Sequence, residues 1–298
     1  MRTTFKLFLI EGGNATKEWG TKRVTRKDID DVLKILSAAL SIDKKELEDN
    51  LLGTTRLTYA NLRKNSGDID IAVSRSKKSK FLPIIKQISN QQVVDNTGTK
   101  VCSFVVTTSS SKPVQVDMMF TENPNFAHFI YHSSEGENSK YPGATRNIML
   151  MTLATFILEI GKDFVVKNEK NEIIARASRS LKLDVGLERL FKVAKRRKDG
   201  QGRVKSLEKV SPDELESELK DIDSSRIGKF TKSPEIINDP DKIAEFLFGA
   251  GVKSSSIMTA EDVAAMIKKK FKGQKLKKII SAIKEQLTDN ELEIPSEL

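Results

Sequence analysis

The sequence predicts an α+β fold, with a β-sheet flanked by helices in the first part of the chain and a mainly helical region towards the C-terminus. Two observations predict this class. Short apolar runs alternate loosely with helix-like segments over the first 145 residues. From residue 147 onward, longer stretches with helical spacing of apolar residues predominate. At 298 residues, the chain falls between one large domain and two ordinary ones.

Two helices are predicted near the N-terminus. Thr25, with Asp28 three residues later, resembles a capping box, and apolar residues at helical spacing predict a helix from there to about residue 39. Asp43 begins a second predicted helix. Gly53 is expected to end it, because glycine commonly follows the last helical residue.

Strands are predicted where apolar and β-branched residues form runs of roughly 4–8 residues between turn residues. A polar loop predicted at 54–66 leads into the strand that contains DIDIAV, and a helix is predicted at 80–89 after it. The other predicted strands are FKLFLI at 5–10, VCSFVVTT at 101–108 and VQVDMMF at 114–120.

The C-terminal half is predicted to be mainly helical. A strongly apolar helix at 147–160 precedes a hairpin at 164–175, and the basic segment beyond it is predicted to be mostly helix and loop. Three further helices are predicted at 240–248, 259–271 and 275–287. The predicted divisions are an N-terminal domain at 1–145, a helical and hairpin subdomain with a basic face at 146–232 and a helical module at 233–298.

The charge and cysteine content restrict the partners and the compartment. A formal net charge of +10 and a pI of about 9.4 favour polyanionic partners. No apolar stretch reaches the ~18 residues of a membrane-spanning helix, so no membrane association is expected. Cys102 is the only cysteine, which excludes an internal disulfide framework. We therefore expect a cytoplasmic protein in a reducing environment, with Cys102 buried.

Two aspartates interrupt the apolar run of the strand DIDIAV. Asp68 and Asp70 are two residues apart, so in a strand they share one face while the isoleucines share the other. Asp117 stands alone among apolar residues in VQVDMMF, where an unpaired buried carboxylate is costly. Adjacent carboxylates repel one another unless a hard divalent cation lies between them. The pattern predicts a metal site, with the solvated face of an ordinary strand as the alternative.

Residues close to these aspartates have the chemistry of a phosphate site. Gly53 and Thr54 supply free backbone N–H groups and a hydroxyl, which can hold phosphate oxygens. Gly67 precedes Asp68 and is expected to let the loop turn sharply into the strand. Both features raise the expectation of a functional site here.

In order and spacing, this pattern resembles the signature of the DNA polymerase β-like nucleotidyltransferase superfamily. The motif GT is followed by thirteen residues, then by DIDI, and a later predicted strand carries Asp117. The resemblance covers roughly residues 47–120, and Thr54 stands where the family most often has serine. It implies a nucleotidyltransferase-like mixed β-sheet flanked by helices, with residues 1–145 as the catalytic domain.

The resemblance also implies an activity, namely the metal-dependent transfer of an NMP group from an NTP to a hydroxyl with release of pyrophosphate. Asp68, Asp70 and Asp117 would be the catalytic residues and would bind two Mg²⁺ ions, with Mn²⁺ as an alternative. The Gly-Thr turn and Gly67 would contact the triphosphate.

Basic residues near the pattern are candidate contacts to the NTP. Arg56 is the first choice, because arginine can pair with phosphate oxygens bidentately, and Lys64 follows in the same predicted loop. Solvated loop charges are the alternative. Arg146, near the start of the apolar helix, is a further candidate for reaching the nucleotide. His128 and His132 are four residues apart but lack a third ligand of the same kind, so packing or substrate contact is expected rather than zinc.

Two basic segments predict contacts to the phosphate backbone of a nucleic acid, with a solvated charged face as the alternative. Few aromatic residues are interleaved, so base reading is not expected. We expect RNA in preference to DNA, and tRNA in particular, while the oligomeric state stays open. The candidate residues are Lys195, Arg196, Arg197, Lys198, Lys268, Lys269 and Lys270.

Two other functions stay open at this point. In one of them, a nucleotidyltransferase of the same fold transfers the nucleotide to a protein or a small molecule. The basic segments disfavour this function. The other is a noncatalytic nucleic-acid-binding or structural protein on the same fold. Retention of all three aspartates disfavours it, because clustered carboxylates without a cation destabilise a scaffold.

Overall fold

The structure is a computed structural model that describes residues 15–96, 101–132, 139–160, 165–168, 170–183, 185–196, 203–210, 214, 217 and 236–298. These residues form a mixed α+β fold with two sheets, which confirms the predicted class at that level. The strand predicted at 5–10 lies outside the described residues. No helix within the described ranges has the length and apolar character needed to cross a membrane.

The first two helices begin at the residues that the sequence predicts. Helix α1 (Arg26–Leu40) starts with a capping box: the Thr25 hydroxyl accepts a hydrogen bond from the N–H of Asp28, and the Asp28 carboxylate accepts one from the N–H of Thr25. Helix α2 (Lys44–Asp49) is capped by the carboxylate of Asp43. These caps satisfy backbone donors that the first turn of a helix leaves unpaired.

The prediction that Gly53 ends the second helix is wrong, because Gly53 begins a third one. Leu51 and Leu52, which follow α2, run alongside the strand of the aspartates, and the Leu52 N–H donates to the carbonyl of Asp70 at 3.0 Å. Helix α3 then spans Gly53–Tyr59, where the sequence predicts a polar loop. Sheet hydrogen bonding therefore overrides the helical spacing of the leucines.

A four-stranded mixed sheet lies at the centre of the N-terminal part. Its strands are β1 (Ile69–Ser74), β2 (Val93–Asn96), β3 (Val101–Thr107) and β4 (Pro113–Thr121), and helix α4 (Lys78–Ile88) connects β1 to β2. Their order is β1-β4-β3-β2, with β1 and β4 parallel and the other pairs antiparallel. The short β2 is not among the predicted strands, whereas the other three strands and α4 are confirmed.

One face of this sheet forms the N-terminal hydrophobic core. Ile71 of β1 lies opposite Met118 of β4, and both are fully buried in one cluster with the apolar faces of α1 and α4. Burial of a side chain of this size stabilises the fold by about 1.5–3 kcal/mol. Since side chains alternate along a strand, the aspartates at neighbouring positions lie on the opposite face.

A second, antiparallel sheet follows α5 (Pro124–Ile130) and α6 (Gly143–Ile160). Its strands are β5 (Val165–Lys167), β6 (Ile173–Lys182), β7 (Gly186–Arg196), β8 (Arg203–Val210) and β9 (Ile236–Ile237). The β5–β6 pair confirms the predicted hairpin. The helix and loop predicted for the basic segment is wrong for residues 189–196 and 203–209, because these lie in β7 and β8, and β7 pairs with β6, β8 and β9.

The C-terminal helices match the predicted module closely: they are α7 (Pro240–Phe248), α8 (Ala260–Lys270) and α9 (Gly273–Asp289). A capping box between Thr259 and Asp262 begins α8 at the predicted start of this helix. All three helices share one hydrophobic cluster with α5 and α6, so the apolar α6 is a core helix. The division of the chain at 145 and 232 stays a prediction.

The buried position of Cys102 yields a prediction about its reactivity. The side chain lies in β3 within the N-terminal core, and burial raises the pKa of its thiol to about 12. Below that pH the group is a protonated thiol without access to solvent, and thiolate is the reactive form. We expect a thiol reagent to leave the native protein unmodified at mildly alkaline pH and to modify one equivalent in denaturant. Rapid stoichiometric labelling of the native protein would contradict the buried position.

Candidate metal centre

Three carboxylates meet on the face of the first sheet that is turned away from the N-terminal core. Asp70 lies opposite Asp117 in the parallel pair β1–β4, and Asp68 is two residues before Asp70. One carboxylate oxygen from each residue lies within 4.8 Å of the others. Asp68 and Asp117 are buried, whereas Asp70 is half-buried. The three side chains that the sequence predicts to lie together therefore do so, and they could hold a metal ion.

Two hydroxyl groups fix the backbone from which Asp68 and Asp70 project. The buried Thr55 hydroxyl donates to the carbonyl of Asp68 at 3.1 Å and accepts from the N–H of Asp70 at 3.0 Å. The Ser66 hydroxyl also donates to the Asp68 carbonyl, at 2.7 Å. Sequence reasoning missed both residues. The available signal is a hydroxyl residue directly after the Gly-Thr pair and another one just before the strand.

Gln115 contacts the third carboxylate. It lies two residues before Asp117 on β4, and its side-chain NH₂ donates to both carboxylate oxygens at 3.0 Å. Its carbonyl oxygen accepts hydrogen bonds from Thr16. Sequence reasoning missed this contact as well, although a glutamine at i−2 on the same strand face is a usable signal.

The clustering makes Asp70 difficult to ionise. Burial, and next the negative charges of Asp68 and Asp117, raise the pKa of Asp70 well above its ordinary value of 3.8. A divalent cation reverses this effect, because it attracts all three carboxylates at once. The donor set consists of carboxylate oxygens, which suit hard cations such as Mg²⁺ and Mn²⁺. The residues present therefore fit the predicted ions.

Gly53 and Thr54 lie next to these carboxylates. A Cβ atom added to Gly53 would be 3.7 Å from a carboxylate oxygen of Asp70, so the start of α3 borders the site. Gly53 has a φ of +52°, in the left-handed region that favours glycine. Thr54 is half-buried, and its hydroxyl makes no hydrogen bond to the residues that the structure describes. Its oxygen is available to a ligand.

The other predicted phosphate contacts differ in how far the structure supports them. Arg56 is exposed on α3, and its charge contributes, after burial, to lowering the pKa of His128 on α5. Lys64 is exposed in the loop beyond α3, and its contact to a triphosphate stays a prediction. Gly67 does not have a left-handed φ, and an added Cβ would meet nothing within 4 Å. A sharp turn therefore does not require glycine at this position.

Arg146 is a structural residue, and the predicted nucleotide contact is wrong. Its side chain is 1% exposed, its Nε donates to the carbonyl of Ile257 at 2.7 Å, and one terminal nitrogen donates to the carbonyl of Phe129 at 2.8 Å. The guanidinium also lies over the Phe129 ring, 4.2 Å from its centre. Burial lowers the pKa of Arg146 to about 9. The side chain joins α6 to α5 and to the segment before α8.

The basic candidates fall into two groups. Lys268, Lys269 and Lys270 are exposed in the last turn of α8, and their contact to nucleic acid stays a prediction. Lys195 and Arg196 lie in β7, with side chains outside the described part of the structure, and residues 197 and 198 are also outside it. Among the described residues, the three aspartates form the only group of His, Cys, Asp and Glu side chains that could hold a metal.

Removal of one of the clustered charges should stabilise the metal-free protein. The folded pKa of Asp70 lies above 3.8, so the folded state binds more protons and its stability falls as pH rises from 3.8 through the folded value. We expect Asp70→Asn to remove this loss and to raise the melting temperature in chelator at neutral pH. About 1 kcal/mol would appear as a rise of roughly 2–4 °C. Asp49→Asn, at an exposed position, is the control, and a lowered melting temperature for Asp70→Asn alone would contradict the repulsion.

Loss of the Arg146 side chain should destabilise the fold. Arg146→Ala leaves a cavity and two buried carbonyls without their donors, and we expect a loss of roughly 3–5 kcal/mol, measured by denaturant unfolding. Arg75→Ala, which removes an exposed arginine paired with Glu122, is the matched control and should cost less than about 1 kcal/mol. Unchanged stability of Arg146→Ala would overturn the structural role.

Comparison with known proteins identified no relative: no protein-family model, curated protein or solved structure matches the chain.

Proposed function

We propose that this protein is a metal-dependent nucleotidyltransferase that moves an NMP group from an NTP to a hydroxyl acceptor. In this reaction the bond between the α-phosphorus and the bridging oxygen breaks, and pyrophosphate leaves. A bond forms between the acceptor oxygen and the α-phosphorus, while the acceptor hydroxyl loses its proton. The observation that carries the proposal is the meeting of Asp68, Asp70 and Asp117 on one sheet face beside the start of α3.

The three aspartates have separate tasks in this proposal. Asp68 and Asp70 would hold two Mg²⁺ ions, with Mn²⁺ as an alternative, and Asp117 would contribute a further carboxylate ligand. When bound, such ions neutralise the triphosphate and lower the pKa of the attacking hydroxyl. Asp117 also accepts a proton from the acceptor. Thr55 and Ser66 hold the backbone of the first two aspartates, so that the carboxylates need little reorganisation when the ions bind.

The NTP is proposed to lie along the start of α3. The Thr54 hydroxyl, which bonds to none of the described residues, and the nearby Gly53, which borders Asp70, support this placement. Arg56 is exposed on the same short helix and supplies a charge for the phosphates. Lys64 stays a candidate contact from the following loop, and no role for Arg146 at the nucleotide is retained.

The proposed acceptor is RNA, and tRNA in particular, with DNA as the other nucleic acid that the charge distribution suits equally. The exposed Lys268, Lys269 and Lys270 lie in a stretch from Met266 to Lys284 without an acidic residue. Such a surface suits the phosphate backbone of a nucleic acid. A protein or small-molecule acceptor and a noncatalytic nucleic-acid-binding protein are the alternatives.

A transfer assay tests the proposal. Purified protein is incubated with each α-labelled NTP, Mg²⁺ and total RNA, beside the double variant Asp68→Asn/Asp70→Asn. We expect label in an RNA band with the wild type and at least a 100-fold lower rate with the double variant, because both cations lose ligands.

Asp289→Asn, at the exposed end of α9, is the matched control and should transfer label at the wild-type rate. Label in the protein itself would favour the protein acceptor. Absence of transfer to RNA, DNA and protein, with unchanged nucleic-acid binding by the double variant, would favour the noncatalytic alternative.

The lysine surface of α8 has its own test. Replacement of Lys268, Lys269 and Lys270 by Gln should weaken RNA binding and reduce the slope of log affinity against log salt by about 1 for each lost phosphate contact. The matched control replaces three exposed lysines of the N-terminal part, Lys22, Lys27 and Lys86, by Gln. Equal losses in the two triple variants would show attraction by net charge alone.

A further inference from the structure

The contacts of Gln115 single it out among the residues around the carboxylates. Its side chain is 1% exposed and lies beside Asp117 on the same face of β4. The side-chain nitrogen is 3.0 Å from each of the two Asp117 carboxylate oxygens. The side-chain oxygen accepts hydrogen bonds from the backbone N–H of Thr16 at 3.2 Å and from the Thr16 hydroxyl at 2.7 Å.

Chemistry at both ends of the amide fixes its orientation. The backbone N–H of Thr16 can only donate, so it must face the oxygen of the Gln115 side chain. The nitrogen of the amide then faces Asp117, and an ionised carboxylate can only accept. A flipped amide would place two acceptors together at Asp117 and two donors together at Thr16. The arrangement is therefore directional, running from Thr16 through Gln115 to Asp117.

This arrangement acts on the carboxylate in two ways. Equal distances from one nitrogen to both oxygens limit rotation of the Asp117 carboxylate about its final bond. The N–H dipole also stabilises negative charge on Asp117, which has two other carboxylates within 4.8 Å. Each carboxylate oxygen has two lone pairs, and a hydrogen bond from Gln115 uses only one of them.

A role of Gln115 in anchoring the segment around Thr16 does not by itself explain all of these contacts. Gln115 does connect β4 to Thr16, a residue 99 positions earlier in the chain, and this contact helps to hold the segment before α1. An anchor needs only the bonds to Thr16, however, whereas the NH₂ group is directed at Asp117. Outer residues that hydrogen-bond to metal ligands orient those ligands, and their loss typically weakens metal affinity 10–100-fold.

We propose that Gln115 is a positioning residue of the candidate metal centre: anchored by Thr16, it holds the Asp117 carboxylate in the orientation that receives the cation. The inference rests on the proposed function, since it requires that the three aspartates bind a metal. It adds to that function a residue outside the aspartates on which the geometry of the centre depends.

The test is a double-mutant cycle on Mn²⁺ affinity, measured by titration calorimetry on the full chain. The four proteins are the wild type, Gln115→Leu, Asp117→Asn and the double variant. We expect Gln115→Leu to weaken Mn²⁺ binding 10–100-fold when Asp117 is present and less than about 3-fold when it is replaced by Asn. A purely structural defect would lower affinity equally in both backgrounds, so equal losses would overturn the proposal.

A second variant tests the proposal in case Gln115→Leu does not fold. Thr16→Val removes the hydroxyl donor and keeps the backbone N–H, so it should weaken Mn²⁺ binding in the same direction by a smaller factor, again only with Asp117 present. Gln87→Leu, an exposed glutamine on α4, is the matched control and should bind as the wild type does. Melting curves identify any variant that does not fold. If only Thr16→Val folds, an unchanged affinity in that variant overturns the proposal.

The outcome for the wild type separates this inference from the proposed function. If the wild type binds no Mn²⁺, the metal centre itself is refuted, and the role of Gln115 falls with it. If the wild type binds Mn²⁺ and Gln115→Leu binds it equally well, the metal centre stands and only the role of Gln115 is overturned.

Discussion

The parallel pairing of β1 with β4 is the constraint on which the site depends. In this register Asp70 lies opposite Asp117, and one position further Ile71 lies opposite Met118. Side chains alternate between faces, so the same pairing directs two carboxylates to one face and two apolar side chains into the core. A shift by one residue would exchange the faces and bury the carboxylates among leucines and isoleucines. Stability of the core therefore fixes the geometry of the site.

Polar side chains around the carboxylates form hydrogen bonds that also hold the geometry of the site. Thr55 and Ser66 bind backbone atoms of the aspartates, whereas Gln115 binds a carboxylate directly. All three side chains are buried, and buried polar groups are costly unless they are hydrogen-bonded. Their bonds are largely directed at the aspartates and their strand. The hydrogen bonds that satisfy these buried groups therefore also hold the aspartates in place, which is typical of sites that must be rigid before a ligand arrives.

Local sequence patterns are sufficient to predict the structure where interactions within a short segment determine it. The capping boxes at Thr25 and Thr259 and the paired aspartates before Ile71 follow from spacing alone. Long-range contacts decided the remaining cases. Leu51 and Leu52 have helical spacing, but hydrogen bonds to β1 hold them as an extended segment. Residues 189–196 read as a basic helix until their pairing with β6 is known. Arg146 looks like a surface charge, because its acceptors are backbone carbonyls, which no side-chain pattern reveals.

The chain between β1 and β4 contains α4, β2 and β3, and this connection governs when the site forms. The β3–β4 hairpin is local, whereas the parallel β1–β4 pair closes a long loop and bears a larger entropic cost. Local pairs are expected to form first during folding, so β1 joins the sheet late. We therefore expect Asp117 to stay apart from Asp68 and Asp70 through the early stages of folding, so that their mutual repulsion acts only when most of the core has formed. The three carboxylates are not assembled in the unfolded chain. A cation that binds all three therefore stabilises only the state in which the sheet is complete.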